Sequence, residues 1–219
     1  MTLKTEHLSQ ELHDYIISAS TQVDPVLRAL AAETAARFPE STALQIGPEQ
    51  GIFMTMLARI SGARRAIEIG TFTGYSSICV AKGLAPGGTL LCCDVSEEWT
   101  SLASEYWRRA ELADRIELRL GPGAVTLESL PEEPAFDFAF VDADKPGYVR
   151  YWELLLPRLV PGGLLLADNT LSHGRVVDAS EQDENVRGIR AFNDLARSDP
   201  RVELVLLPIG DGLTLARKL

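Results

Sequence analysis

The chain has 219 residues, enough for one sizeable domain, and its 31 acidic residues outnumber its 21 basic residues to give a formal net charge of −10. A hydrophobic share of 46% and a charged share of 24% exclude the disordered and fibrous classes. Because the acidic balance repels a phosphate backbone and the basic residues are scattered, nucleic acid is not an expected partner.

No apolar run reaches the roughly 18 residues that a membrane-spanning helix needs. The polar N-terminus, residues 2–7, has no signal-peptide core. We therefore expect no membrane partner and a cytoplasmic location. The cysteines lie in apolar segments without metal-ligand spacing, so we expect small core residues in a reducing compartment at Cys79, Cys92 and Cys93.

Residues 1–63 form a predicted helical lead-in. Apolar spacing predicts helices over 8–19 and 26–38, with Asp24 as a cap and Pro25 in the first turn of the second helix. A third helix is predicted over 49–60. No linker-like stretch separates this lead-in from residues 64–219, so we expect the whole chain to be one domain.

From residue 65 onward, short apolar strands alternate with helices, which is typical of a doubly wound, mostly parallel α/β sheet. Only Gly210, Asp211 and Gly212 join the last two strands, so these should form an antiparallel hairpin. The predicted strands are 66–70, 89–95, 116–120, 136–143, 163–168, 202–209 and 213–216. The predicted helices are 75–84, 97–112, 124–130, 148–159 and 186–197, with a polar loop over 172–185.

The turn after the first of these strands is a candidate ligand site. Gly70 and Gly74 allow a sharp turn and a close approach of the backbone to a ligand. Ser76 and Ser77 are candidate caps of the helix that follows, whose N-terminus would suit a phosphate or a carboxylate. The alternative is a turn built only for packing.

Acidic side chains follow several strands of the predicted sheet, at the edge where open α/β sheets bind ligands. Asp94 stands where a carboxylate could accept hydrogen bonds from the ribose of a nucleotide or nucleoside cofactor, or be merely solvated. Asp142, Asp168 and Asn169 offer hard oxygen ligands for Mg²⁺, Mn²⁺ or Ca²⁺, although an Asp-Asn pair also starts turns.

Lys145 lies on the loop that follows Asp142. Partial burial and a nearby dication would both disfavour its ammonium form, so that a neutral amine could accept a proton as general base. The alternative is a solvated lysine before a proline.

Taken together, these motifs resemble the cation-dependent, S-adenosylmethionine-dependent O-methyltransferases of the caffeoyl-CoA and catechol type, and are most similar to the small bacterial members. The likeness extends from about residue 45 to residue 219. Five motifs carry it in order, namely QIGPEQG (45–51), EIGTFTGYS (68–76), VDADK (141–145), DN (168–169) and IGDG (209–212).

The resemblance implies a Rossmann-like, seven-stranded sheet with a C-terminal β-hairpin, assembled as a homodimer. It also implies S-adenosylmethionine and a divalent cation as cofactors. The implied metal ligands are Asp142, Asp168 and Asn169, and the implied general base is Lys145. The implied cofactor-binding residues are Ile46, Glu68, Gly70, Thr71, Ser76, Asp94, Gly123, Asp142, Asp144 and Tyr151.

Two departures from the family pattern concern the acceptor and the adenine. Many relatives carry an aromatic residue shortly after the DN pair, whereas this chain has Ser172 and His173, which are candidate substrate contacts in a wider or more polar pocket. Relatives often have alanine at the position of Gly123, a change expected to matter little because the contact is through the backbone.

The implied reaction is transfer of a methyl group to one of two adjacent hydroxyls on an aromatic ring. A caffeoyl thioester, a free catechol, a hydroxylated amino acid and an antibiotic precursor all fit as acceptor. The alternatives are a nicotinamide-dependent oxidoreductase, which Glu68 in place of the first fingerprint glycine disfavours, and a cofactor-binding protein without catalysis.

Overall fold

The computed structural model describes residues 9–219. The predicted start of the first helix at Leu8 and the polar residues 2–7 lie outside the described residues. Eight α-helices occupy the described chain, namely α1 (Gln10–Ala19), α2 (Pro25–Arg37), α3 (Pro48–Ile60), α4 (Tyr75–Gly83), α5 (Glu97–Arg109), α6 (Gly123–Ser129), α7 (Tyr148–Arg158) and α8 (Glu184–Ser198). Seven strands alternate with them, namely β1 (Arg65–Ile69), β2 (Thr89–Asp94), β3 (Ile116–Leu120), β4 (Phe136–Val141), β5 (Leu159–Ala167), β6 (Val202–Leu207) and β7 (Leu213–Lys218). Short 3₁₀ segments cover Pro39–Leu44, Lys145–Gly147 and Ser172–Val177.

The seven strands form one sheet in the order β3-β2-β1-β4-β5-β7-β6. The first five strands pair in parallel, whereas β7 runs antiparallel to both β5 and β6. The predicted mostly parallel sheet with an antiparallel C-terminal hairpin is therefore confirmed. The order of strands reverses between β1 and β4, which is where ligands bind in such sheets.

The sheet separates two apolar layers because successive side chains of a strand point to opposite faces. On one face, Ala66 and Phe140 pack with helices α2 to α5. On the other face, Ile67 and Ile69 pack with helices α6 to α8. The three cysteines are buried and free, as predicted.

Two local predictions at element ends are wrong. Ser76 and Ser77 do not cap α4, because Gly74 occupies the N-cap with a left-handed φ of 87° and Ser77 instead donates to the Gly74 carbonyl. The strand predicted over 163–168 begins four residues earlier, at Leu159, which pairs with Phe136 of β4; the ladder is then interrupted until Leu164, and Gly162 within the gap has a positive φ of 83°. The cap at Asp24 is confirmed, with its side chain accepting from the Val26 N–H at 2.8 Å.

The buried Asp199 carboxylate ties α7 to the start of β6 and pairs with Arg201, whose side chain is about half exposed. The carboxylate of Asp199 accepts from the Trp152 indole N–H at 2.9 Å and from the Arg201 guanidinium at 2.6 and 2.8 Å. The Arg201 guanidinium, together with the Trp152 hydrogen bond, holds the pKa of Asp199 well below its usual range.

We expect Asp199→Ala to lower the free energy of unfolding by about 2 kcal/mol, because it leaves the buried Trp152 N–H without an acceptor. For a chain of this size that corresponds to a fall in melting temperature of about 4–8 °C at pH 7. Since the folded-state pKa is depressed, the wild-type advantage is complete above the unfolded pKa of about 3.9 and declines as the pH falls below it. Scanning calorimetry at several pH values checks this prediction.

Asp194→Ala is the control, because its ion pair with Arg197 is exposed and contributes well under about 1 kcal/mol to stability. Equal losses of stability in both variants would contradict the prediction.

Candidate active site

A cavity of about 760 Å³ opens at the carboxyl ends of β1 and β4, where the strand order reverses. Fourteen of the fifteen residues predicted to form the site line it, and Glu68 is the exception. The fourteen are Ile46, Gly70, Thr71, Ser76, Asp94, Gly123, Asp142, Asp144, Lys145, Tyr151, Asp168, Asn169, Ser172 and His173.

The glycine turn after β1 lies against the loop that follows β4. Gly70 has a φ of 91°, and a Cβ built on it would lie 1.9 Å from the carbonyl oxygen of Asp142. Only glycine fits both the backbone conformation and this close approach. The two loops that carry predicted cofactor and metal residues are therefore in direct backbone contact.

The carboxylate of Asp94 holds this turn in place. Its Oδ2 accepts from the backbone N–H groups of Thr71 at 2.9 Å and Phe72 at 2.8 Å, and its Oδ1 accepts from Ser96 at 2.8 Å. A carboxylate has about four acceptor positions, so one remains for a ligand hydroxyl. Asp94 thus organises the turn and still faces the cavity.

Glu68 is fully buried on the sheet face opposite to Ile69, beneath the helices α2 to α5. The Cys92 thiol donates to its Oε2 at 3.3 Å, whereas its Oε1 has no hydrogen-bond partner in residues 9–219. Burial raises the pKa of Glu68 to about 8, so the side chain is largely protonated at neutral pH. Its role in holding the cofactor, which the resemblance implied, stays a prediction; Glu68 shares the face of β1 with Ala66 and does not line the cavity.

One end of the cavity brings Lys145 and Asp142 together. The Lys145 ammonium donates to Asp142 Oδ1 at 2.9 Å and to the Tyr148 hydroxyl at 2.8 Å. The buried Tyr148 hydroxyl in turn donates to the Asp168 carbonyl at 3.0 Å. Lys145 is thus held between two oxygen atoms and keeps about one fifth of its side chain exposed.

Asp168 directly follows β5, beside this pair, and is 3% exposed. Its Oδ1 accepts from the Asn169 N–H at 2.7 Å and its Oδ2 from the Gln50 amide at 2.7 Å. Burial, and then the neighbouring Asp142 carboxylate, raise the pKa of Asp168 to about 7. Two neighbouring carboxylates with little exposure to water repel each other and destabilise the fold unless a proton or a cation reduces the repulsion.

The donor set at this end fits a hard divalent cation. Asp142, Asp168 and Asn169 all line the cavity and offer carboxylate and amide oxygens, which Mg²⁺ prefers. In residues 9–219 no group of three or more His, Cys, Asp or Glu side chains is arranged for a metal, so the candidate site depends on the Asn169 amide as its third ligand. Asn169 has a φ of 55°, a conformation that asparagine tolerates better than most residues.

Gly123, at the start of α6, packs closely against the Ile69 side chain. A Cβ there would come within 2.5 Å of the Ile69 side chain. Alanine at this position would require the Ile69 side chain to move, whereas the expectation that it matters little concerned only the backbone contact to the adenine and stays a prediction. The ring of Tyr151 lies next to Gly123, 3.4 Å from the position of such a Cβ, and its hydroxyl donates to Asp144 at 2.5 Å.

The loop after β5 borders the cavity next to Asn169, whose carbonyl accepts from the Ser172 N–H at 3.1 Å. Ser172 and His173 have φ values of 49° and 53°, and the hairpin turn holds them there. The Asp211 carboxylate accepts from the His173 N–H at 2.5 Å, and its carbonyl accepts from Leu171 at 2.9 Å. Ser172 is buried and His173 is largely exposed, so the two predicted substrate contacts differ in environment.

Helix α8 holds this loop in place through one side chain. The Arg190 guanidinium donates to the backbone carbonyls of Arg175, Val176, Asp178 and Glu181. One side chain therefore fixes most of the segment that was predicted only as a polar loop.

Several residues that line the cavity had no predicted role. Gln50 and Asp211 lie within motifs that carried the family resemblance, so their positions were visible but their contacts were not. Phe72 and Trp99 form an aromatic wall next to Asp94, with ring centroids 5.0 Å apart. Arg175 and Asn185 line the cavity near His173, and no motif pointed to them.

Comparison with known proteins places this chain in a family. The family model described as O-methyltransferase matches residues 17–219. A Dictyostelium discoideum protein named probable caffeoyl-CoA O-methyltransferase 2 is 39% identical over 210 residues, covering 94% of this chain and 90% of that protein. The mouse catechol O-methyltransferase domain-containing protein 1 is 36% identical, covering 95% of this chain and 80% of that protein.

Solved structures agree with the sequence relatives. The crystal structure of an O-methyltransferase from Bacillus cereus in complex with SAH has a TM-score of 0.87 and 34% identity, covering 95% of this chain and 97% of that chain. The chain belongs to the O-methyltransferase family. It is an S-adenosylmethionine-dependent O-methyltransferase of the caffeoyl-CoA type, and the oxidoreductase alternative has no support. Among residues 9–219, no helix combines the length and apolar composition of a membrane span.

Proposed function

We propose that this enzyme transfers the methyl group of S-adenosylmethionine to one hydroxyl of a vicinal dihydroxy aromatic ring, in a reaction that depends on Mg²⁺ or a similar divalent cation. One observation carries the proposal: Lys145 lies 2.9 Å from Asp142 at the end of the cavity that Asp168 and Asn169 also line. A base and three hard oxygen ligands thus face the same space.

The cofactor would occupy the part of the cavity at the glycine turn. Gly70, Thr71 and Ser76 would hold its amino-acid part, with Asp144 and Tyr151 alongside, Ile46 covering it and Glu68 buried behind the turn. Asp94 would bind the ribose through its remaining acceptor position, and Gly123 would border the adenine. Asp142 lies at the junction of this part with the proposed cation site.

Asp142, Asp168 and Asn169 would hold the cation, which when bound would supply a chelating centre for two adjacent hydroxyls and lower the pKa of the acceptor hydroxyl. The Lys145 amine would accept the proton of that hydroxyl, held in position by Asp142 and the Tyr148 hydroxyl. The acceptor oxygen would then attack the sulfonium methyl in line. Because the leaving thioether is neutral, no general acid is needed.

The acceptor would lie between the proposed cation site and the loop that Arg190 anchors, with Ser172 and His173 as its contacts. Relatives named for caffeoyl-CoA and for catechol support a small phenolic acceptor. The polar lining near His173, which includes Asp211 and Arg175, favours a ring that carries polar substituents.

We also propose that the whole chain is one methyltransferase domain, with residues 1–63 as its helical lead-in and residues 64–219 as its core, and that two copies form a homodimer. The edge strand β6 supports a second copy as partner, because Leu204, Val205 and Leu206 are all exposed there. Exposed apolar edge strands favour association with another chain.

Methyl transfer to paired and separated ring hydroxyls tests the chelation step. Purified enzyme with S-adenosylmethionine and Mg²⁺ is supplied with catechol, caffeate and 3,4-dihydroxyphenylalanine, and separately with resorcinol, whose hydroxyls cannot chelate one cation. We expect methylated product from at least one vicinal diol and a rate at least about 10²-fold lower with resorcinol, since orientation supplies much of the acceleration. Equal rates with resorcinol and the vicinal diols would refute the proposal.

A further inference from the structure

Helix α3 supplies a side chain to the proposed cation site from far along the sequence. Gln50 is 2% exposed, and its amide donates to Asp168 Oδ2 at 2.7 Å across a separation of 118 residues. We propose that Gln50 is a positioning residue that orients the Asp168 carboxylate for a divalent cation. This inference rests on the proposed function, in which Asp168 is a cation ligand.

The Asp168 carboxylate accepts one hydrogen bond from an adjacent residue and one from a residue far away in the sequence. Oδ1 accepts from the adjacent Asn169 N–H and Oδ2 accepts from Gln50, so the rotation of the carboxylate is fixed at both oxygens. Each oxygen keeps a lone pair for a ligand. A neutral amide fixes the carboxylate without neutralising its charge, whereas a lysine or arginine in the same place would compete with a cation.

Gln50 is itself held on a rigid support. The Thr55 hydroxyl, five residues later on α3, donates to the carbonyls of Gly51 and Cys79, which ties α3 to α4. Gly51 permits close packing there, because a Cβ built on it would lie 2.7 Å from the Cys79 sulfur. The amide of Gln50 therefore projects from a helix that is locked onto the main body of the fold.

The hairpin turn closes over the other side of the amide. A Cβ built on Gly210 would lie 2.8 Å from Gln50 Oε1, and Gly210 has a φ of 54°. The amide thus lies between Asp168 and the turn, with little room to rotate. This gives a second way to displace it, namely a methyl group at position 210.

Manganese binding to the protein loaded with S-adenosylhomocysteine tests the inference independently of turnover. We expect Gln50→Met, which keeps the volume and removes the donor, to raise the Kd for Mn²⁺ by about 10- to 100-fold in electron paramagnetic resonance titrations. The Kd for S-adenosylhomocysteine should change by less than about twofold, since Gln50 contacts Asp168 and not the glycine turn. Gly210→Ala should weaken Mn²⁺ binding in the same direction, because it displaces the Gln50 amide.

Asp199→Ala is the control for a general loss of stability, because it removes the hydrogen bonds of Trp152 and Arg201 and lies outside the cavity. It should lower the melting temperature and leave the Kd for Mn²⁺ unchanged. If both Gln50→Met and Gly210→Ala bind Mn²⁺ within twofold of the wild type, the positioning role is wrong. If the wild type does not bind Mn²⁺, or Asp168→Asn binds it as well as the wild type, the proposed cation site itself is wrong.

Discussion

Replacing Lys145 by methionine is expected to lower kcat by about 10²- to 10⁴-fold, which is the usual contribution of a general base. The Kd for S-adenosylhomocysteine should change by less than about threefold, because the Lys145 amine contacts Asp142 and Tyr148 and not the glycine turn. Methyl transfer under saturating acceptor, together with calorimetric titration of S-adenosylhomocysteine, measures the two quantities.

Lys82→Met is the matched control, because Lys82 also makes a half-buried ion pair with an aspartate, Asp24, and does not line the cavity. It should retain kcat within about twofold and lose at most about 1 kcal/mol of stability. Wild-type kcat in the Lys145 variant would show that proton transfer does not pass through this amine.

Replacing Gly70 by alanine is expected to abolish binding of S-adenosylmethionine and methyl transfer. The new Cβ would lie 1.9 Å from the Asp142 carbonyl oxygen, so the turn and the loop after β4 would have to separate. The strain of a positive φ and this displacement should together cost about 3 kcal/mol or more, a fall in melting temperature of at least about 6 °C. Calorimetric titration and thermal unfolding measure both effects.

Gly62→Ala separates the steric effect from the conformational one. Gly62 also has a positive φ, 67°, but a Cβ there would meet nothing within 4 Å. This control should lose about 1 kcal/mol and bind cofactor normally. If Gly70→Ala behaves like Gly62→Ala, the close contact of the two loops is not needed for cofactor binding.

The order and type of the elements were predictable because apolar periodicity and turn residues agree along most of residues 65–219. The three-residue Gly210–Gly212 connection, for example, required a hairpin, and the structure has one between β6 and β7. The end of α7 was harder, because residues 159–163 combine apolar residues with a proline and two glycines, a composition that suits a turn. Leu159 pairs with Phe136 of β4 before the ladder breaks until Leu164, with Gly162 at a φ of 83°, and such a long-range pair on the far side of a break is not visible in a local pattern.

For the site as for the fold, local patterns identified residues, whereas contacts set by long-range packing were not predictable. The residues that follow strands, such as Asp94, Asp142 and Asp168, were found because parallel strands end at one edge of the sheet. Their partners were not found, because the bonds from Gln50 to Asp168 and from Thr71 to Asp94 depend on how distant segments pack. Glu68 was predicted as a site residue from its motif, whereas its complete burial within β1, outside the cavity lining, depends on how the helices pack on the sheet.

The dependence of methyl transfer on a divalent cation is the central proposal, and one measurement tests it most directly. The rate of methyl transfer to the best vicinal diol is followed in wild-type enzyme, after exhaustive treatment with EDTA and after Mg²⁺ is then added in excess. We predict that the rate falls to background in EDTA and returns fully with Mg²⁺, because Asp142, Asp168 and Asn169 supply the ligands and no other side chain would chelate the two hydroxyls. An unchanged rate in EDTA would contradict the proposal.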